Sequence, residues 1–149
     1  MPVNPDIVGR VFPPTAPYLV GREKVREFAR AVFADDPQHS DPEAARALGY
    51  ADVVAPPTFA IVVAEQTLQQ LLSDPDSGIE LSRTLHAEQR FRYSRPIVAG
   101  DELTARMSVS GLRALGGNAM VTSDTEIIDA EGNHVVTATS VLVVGEAEA

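Results

Sequence analysis

Apolar positions along the chain change their period once, from helical to strand spacing, and the change divides the sequence in two. Residues 56–72, from Pro56 through Thr58, Phe59 and Ala60 to Leu72, form its most apolar stretch, long enough for about four helical turns. Two prolines, Pro56 and Pro57, open it, where a missing amide costs a helix least. Its first half is apolar all round, as in a helix enclosed by other structure. In its second half Glu65, Gln66, Gln69 and Gln70 share one face, and Ala64, Leu68, Leu71 and Leu72 share the other. Ile61, Val62 and Val63 would suit a strand equally well, so length and the later period decide for a helix.

Ahead of this stretch, Val25, Phe28, Ala29 and Val32 recur at helical spacing opposite Glu23, Arg26, Glu27 and Arg30, which predicts an amphipathic helix over residues 22–33. The proline-rich lead-in of residues 6–18 ends in a short strand over residues 18–20. A polar segment, residues 34–40, precedes a second short helix with Asp41 as N-cap, Pro42 at its first position and Gly49 just past its end. Beyond the loop of residues 73–78 the period becomes two. Leu85, Ala87, Phe91 and Tyr93 alternate with His86, Glu88, Arg90 and Arg92, and Leu103, Ala105, Met107 and Val109 with Thr104, Arg106, Ser108 and Ser110. Turns at residues 116–118 and 129–133 then lead into a third strand ending at Ile128 and a fourth over residues 135–144, before a frayed acidic tail at residues 146–149. Helices first and a meander of antiparallel strands afterwards make an α+β fold. The economical solution is a sheet curled around one long central helix, the hot-dog architecture.

Composition narrows the function classes. At 149 residues, 44% hydrophobic, with a mean hydropathy of −0.02, residues 1–149 read as a single domain of an ordinary soluble globule. Twelve basic residues against twenty-one acidic give a net charge of −9 and a pI near 4.7, the reverse of a nucleic-acid binder. No apolar run is long enough for a bilayer span, and the first six residues carry neither a basic lead nor an apolar core, so the expectation is a cytoplasmic protein with no membrane association. With no cysteine, disulfides, thiolate metal sites and a cysteine nucleophile are excluded.

Three segments carry a family resemblance. Residues 34–45, Ala-Asp-Asp-Pro-Gln-His-Ser-Asp-Pro-Glu-Ala-Ala, resemble the hydratase motif of the MaoC-like (R)-specific enoyl-thioester hydratases and dehydratases. Residues 91–103, Phe-Arg-Tyr-Ser-Arg-Pro-Ile-Val-Ala-Gly-Asp-Glu-Leu, resemble that family's aromatic strand followed by a proline and a Gly-Asp turn. Residues 21–29 together with residues 55–59 are similar to the A-type subunit of actinobacterial (3R)-hydroxyacyl-ACP dehydratases, the MaoC dehydratase N-terminal domain. The resemblance implies addition or removal of water across C2–C3 of an acyl thioester carried on CoA or acyl carrier protein, with no cofactor. That reaction needs a base, an acid and donors for the enolate oxygen. In the family an Asp and a His lie on the loop between the first two helices, and a glycine amide at the start of the central helix meets the oxyanion.

Carried over by position, His39 stands where the family's histidine does. The family's aspartate, five residues earlier, is here Ala34; Asp36 occupies a place usually held by Asn, and Asp35 a variable one. Pro56-Pro57 replaces the His-Gly pair, and Pro57 has no N–H to offer an oxyanion, leaving the amides of Thr58 and Phe59 as substitutes from a shifted position. Asp36 with His39 reads either as a relocated dyad or as polar loop residues capping the next helix; as a metal site, Asp35 and Asp36 bring too few ligands. Pro57, Thr58, Phe59 and Phe91 are the candidate substrate-binding residues. Arg90, Arg92 and Arg95, with Arg83, are candidates for docking the phosphates of CoA or an acidic carrier protein, or else a solvated sheet face with Glu88 interspersed. His86 and His134 receive no role, and Gly100-Asp101 reads as a turn. Three functions follow: a dehydratase subunit shaping the acyl pocket in a heterodimer with a B-type catalytic partner, a homodimeric hydratase using Asp36 and His39, and an acyl-thioester-binding module without chemistry. A thioesterase fits less well, because the matched segments belong to the hydratase branch.

Overall fold

A computed structural model of the chain describes residues 2–147. In chain order the elements are β1 (Tyr18–Leu19), α1 (Arg22–Ala31), α2 (Pro42–Ala47), α3 (Ala60–Ser73), β2 (Thr84–Tyr93), β3 (Glu102–Leu115), β4 (Asn118–Ile128) and β5 (His134–Val144). The strands form one antiparallel sheet in the order β1-β3-β4-β5-β2, curled about α3. This is the hot-dog architecture. The last two residues of the acidic tail, Glu148 and Ala149, lie outside the described residues.

Several predicted boundaries move, each for a local reason. The first helix ends at Ala31, where Val32, Phe33 and Ala34 close it. The Ala34 amide donates to the Ala29 carbonyl at 2.8 Å and the Phe33 amide to the Arg30 carbonyl at 3.3 Å, a Schellman closure that needs a left-handed residue between them. That residue is Phe33, at φ 57° and 84% exposed, in a conformation that suits glycine. The central helix starts later than the prolines suggest. Residues 57–59 make a 3-10 turn before α3 begins at Ala60. Nor is its first half wrapped all round, because Ile61 and Val62 remain half-buried while Phe59, Ala60 and Val63 are fully enclosed.

β2 differs most. A bulge between His86 and Glu88 shifts its register against β5, so His86 pairs with Leu142 and Phe91 with Ala138, both on the helix-facing side. Phe91 and Tyr93 face as predicted, but Leu85 is 72% exposed and His86 sits at the mouth of a slot lined by Glu65, Thr67 and Leu68. An extra residue in one strand reverses the facing of everything before it, which strict alternation cannot anticipate.

The core is in two parts. One cluster joins Val25, Val53, Phe59, Val63, Ile97, Leu103 and Val136 around the start of α3; the other joins Ile7, Phe12, Leu71, Ile79, Met107, Val121 and Leu142 around its end. Between them lie buried hydroxyls. Thr67 Oγ1 donates to the Ala64 carbonyl at 2.6 Å and sits 3.0 Å from Thr125 Oγ1, with Ser123 beside it on β4. The two sheet edges also differ. Along β3 the lead-in is laid down as an extended cover, through Gly9 N to Val109 O, Phe12 N to Met107 O and Thr15 N to Ala105 O, at 2.8–2.9 Å, before β1 continues it. No strand among the described residues pairs with the outer edge of β2.

Two substitutions check this packing by chemical denaturation. Phe59→Ala, which empties a fully buried site, is expected to cost about 3–5 kcal/mol. Phe33→Gly is expected to stabilise the chain by about 1 kcal/mol, since it relieves the left-handed conformation at an exposed position.

Candidate functional site

Segments far apart in sequence meet at the start of α3. The Ala55 amide donates to the Ile97 carbonyl at 2.8 Å and the Ala99 amide to the Val53 carbonyl at 3.0 Å, with Val54 and Val98 bridged between them. This short ladder stitches the approach to α3 onto the connection between β2 and β3. The polar segment docks on the same ladder, because the Val54 amide donates to the Gln38 carbonyl at 2.9 Å. Below it, Asp41 caps α2 by accepting from the Glu43 amide at 3.0 Å, and Gly49 at φ 93° ends that helix.

Where these pieces meet, a cavity of about 390 Å³ opens, lined by His39, Val54, Ala55, Pro57 and residues 93–96. His39 is buried, and its Nδ1 lies 2.6 Å from the Val54 carbonyl. A carbonyl only accepts, so Nδ1 carries the proton. In the neutral ring the lone pair is therefore on Nε2, which has no hydrogen-bond partner among the described residues on a ring that lines the cavity. That is the tautomer a general base requires. The opposite wall is Tyr93, whose hydroxyl donates to the Pro57 carbonyl across the mouth of α3. Burial pushes the Tyr93 phenol up to about 12, with the Ala60 amide pulling weakly the other way. The tyrosine thus closes over the 3-10 turn that leads into α3.

The predicted residues divide. His39 and Pro57 line the cavity. Asp36 does not reach His39: its carboxylate is exposed and makes no bond to the ring, while its carbonyl accepts from the His39 amide at 3.1 Å. Thr58 is exposed at the helix start; Phe59 is fully buried in the core, edge-on to Phe28 with centroids 5.4 Å apart, and does not line the cavity. Phe91 lies half-buried beside Tyr93.

The arginines separate as well. Arg95 is held by Asp101 at 2.8 and 3.1 Å and by Asp129 at 3.3 Å, and Asp101 also accepts from the Val98 amide at 2.9 Å, which closes the Gly100-Asp101 turn. These contacts raise the Arg95 guanidinium, Asp101 foremost. The Asp129 carboxyl is held low, first by the Asn133 amide and then by Arg95. Arg95 is therefore committed to structure. Arg90 and Arg92 form no ion pair among the described residues and line a wider groove of about 860 Å³ on the outer face of the sheet, with Asp124 and Glu126 opposite. That groove is larger, but apart from Phe91 its lining residues are polar and of mixed charge, whereas the smaller cavity combines apolar walls with an available imidazole. The smaller one is the candidate site.

Sequence reasoning missed Tyr93 and Ser94 as lining residues and left His134 without a contact, although His134 Nδ1 lies 2.5 Å from Ser94 Oγ. Only the aromatic strand ending in Tyr93 signalled them.

A curled sheet around one helix, with a histidine loop over that helix's start, defines the hydratase and dehydratase type of hot-dog fold. The comparisons agree. A family model described as "FAS1-like, dehydratase domain region" matches residues 6–138. A UPF0336 protein of Clavibacter michiganensis subsp. michiganensis is 63% identical over 144 residues, 97% of each chain, and one of Streptomyces avermitilis is 48% identical over 148 residues, 99% of each. Among solved structures, a chain of the C-terminally truncated HadBC (3R-hydroxyacyl-ACP dehydratase) complex from Mycobacterium tuberculosis superposes with a TM-score of 0.83 at 35% identity, over 93% of this chain and 97% of that one. The (R)-hydratase from A. caviae involved in PHA biosynthesis shares the fold at a TM-score of 0.68 and 21% identity, over 94% and 96%. The chain belongs to the FAS1-like dehydratase region family and is a relative of the UPF0336 proteins.

The position of Tyr93 has a measurable consequence. Its folded-state value of about 12 stands above the model-compound 10.0. Neutral tyrosine is thus favoured in the folded chain, and its stabilisation, complete below pH 10, is lost as pH rises through 12. Burial also raises the Tyr18 phenol, so ultraviolet titration of phenolate formation should show Tyr93 as the latest-ionising tyrosine, and Tyr93→Phe should remove that last step and flatten the alkaline fall in stability.

Proposed function

We propose that this chain is a subunit of a (3R)-hydroxyacyl-thioester dehydratase or enoyl-thioester hydratase, contributing the acyl pocket while a B-type hot-dog partner contributes the complete catalytic set. The observation that carries this is the incomplete site. His39 is buried in the correct tautomer, yet no carboxylate bonds to it, Ala34 stands at the family's aspartate position, and Pro57 and Tyr93 occupy the helix start. The base-assisting carboxylate accounts for about two to four orders of magnitude in such reactions, and an oxyanion donor for about two to three.

The open edge of β2 supports the partner. An unpaired row of backbone groups, flanked by exposed Leu85, is the surface on which a second hot-dog sheet continues the first. A chain 35% identical belongs to the HadBC (3R-hydroxyacyl-ACP dehydratase) complex of Mycobacterium tuberculosis, which supports an assembly of unlike subunits. The substrate is an acyl thioester on CoA or acyl carrier protein, as in the family; residues 1–149 act as one hot-dog domain, and Arg90 and Arg92, not Arg95, are the free cations for its phosphates.

The test is hydration of crotonyl-CoA and longer enoyl-CoA, followed at the enoyl-thioester absorbance. The purified chain alone is expected to stay near background, and addition of a B-type subunit bearing the complete Asp, His and Gly set is expected to raise turnover by at least about a hundredfold. Robust turnover by the chain alone would refute the division of labour. In that event the free Nε2 of His39 favours the homodimeric reading, and His39→Ala would then abolish the rate.

A further inference from the structure

From the rim of the candidate cavity toward the outer face of the sheet, four side chains from two strands and one loop form a directed hydrogen-bond chain. Glu126 on β4, ionised, only accepts. Thr137 Oγ1 on β5 lies 3.0 and 2.9 Å from its two carboxylate oxygens and therefore donates to it. Having given its proton to Glu126, Thr137 Oγ1 accepts from His134 Nε2 at 2.7 Å, and the same Nε2 stands 3.3 Å from Glu126. In its neutral form His134 accordingly carries its proton on Nε2 and its lone pair on Nδ1. Ser94 Oγ lies 2.5 Å from that Nδ1, so its hydroxyl donates to the imidazole. Ser94 follows β2 directly and is among the residues lining the cavity that holds His39.

We propose that Ser94 is a nucleophile activated by His134, with Thr137 and Glu126 as positioning residues, and that it accepts an acyl group from an acyl thioester bound in this cavity. The identity of the acyl donor rests on the function proposed above; the activation of Ser94 does not. The arrangement has the parts such a role demands, a hydroxyl within reach of a base and a base oriented by a third group. The backbone is pinned too, since the Ser94 amide donates to the Val135 carbonyl at 2.8 Å, one residue past His134. The next amide, that of Arg95, reaches the same carbonyl only at 3.5 Å. It is the weakly held donor beside the nucleophile that an oxyanion would recruit.

In the acylation step the Ser94 proton passes to His134 Nδ1 as Oγ forms a bond to the thioester carbonyl carbon. The C–S bond then breaks, and the departing sulfur takes the proton from His134. In the second step a water gives a proton to His134 and its oxygen bonds to the acyl carbon. The ester C–O bond breaks, and Ser94 recovers its proton. The products are a carboxylic acid and a free thiol. With one weak oxyanion donor the turnover is slow.

The chain contains no cysteine, so any thiol released in solution comes from the substrate. The purified chain is exposed to a fluorophosphonate probe and mapped by peptide mass spectrometry, and thiol release from butyryl- and octanoyl-CoA is followed in parallel. The adduct is expected on Ser94, forming about 100-fold more slowly in His134→Ala and more slowly in Glu126→Gln, which keeps the shape of the chain of contacts. Thiol release is expected in the unmodified chain and absent in Ser94→Ala, an exposed substitution that leaves the core intact. No adduct on Ser94, an adduct rate unchanged in His134→Ala, or thiol release that does not depend on Ser94 would overturn the proposal. Failure of partner-dependent hydration while Ser94 still reacts would sink the dehydratase reading alone.

Discussion

Everything at the functional end of the molecule depends on the short ladder between residues 53–55 and 97–99. Two amide–carbonyl bonds and one bridge hold the approach to α3 against the connection that leaves β2. Because the polar segment docks on Val54 by two further bonds, one from its amide and one to its carbonyl, the same three residues place the His39 ring and choose its tautomer. Each of these bonds is individually worth only about 1 kcal/mol. Their effect is geometric: the ladder brings His39, the approach to α3 and the end of β2 at Tyr93 together from three separate segments of the chain.

Most of the architecture was legible in the sequence because it rests on periodicity. The change from a 3.6 to a 2 period, the Asp41-Pro42 start of α2 and the turns at residues 116–118 and 129–133 each carry a local signal. What was not legible rests on events without one. The bulge near Ala87 is a one-residue slip that turns His86 toward the helix. The end of α1 hangs on Phe33 in a conformation that bulky residues rarely adopt. At the site, His39 and Pro57 were found from the motif, but the His39–Val54 bond joins residues fifteen apart and the Ser94–His134 contact residues forty apart, and no spacing rule connects them. Phe59 misled because an aromatic beside a site reads the same whether it faces a ligand or the core; only packing against Phe28 decides.

Charge is distributed with similar economy. On a chain of net charge −9, the arginine nearest the cavity is neutralised by two aspartates, and those contacts fasten the β2–β3 connection to the β4–β5 turn. The two unpaired arginines of β2 lie on the other side of the sheet, facing Asp124 and Glu126 across a groove. Arg95 lines the cavity with its charge already matched, and burial is what governs the Tyr93 phenol on the opposite wall.

The paired hydroxyls of Thr67 and Thr125 bear on a different question, that of alignment. An apolar helix on an apolar sheet can slide by one turn, about 5.4 Å, and still bury comparable area. A hydroxyl couple in the middle of that contact removes the freedom, since any slide would take Thr67 away from the Thr125 hydroxyl and leave that buried group without its partner. The couple works as an index pin. It fixes the axial position of α3 and, seven residues earlier, the height at which Ala60 and the 3-10 turn present themselves to whatever enters the cavity.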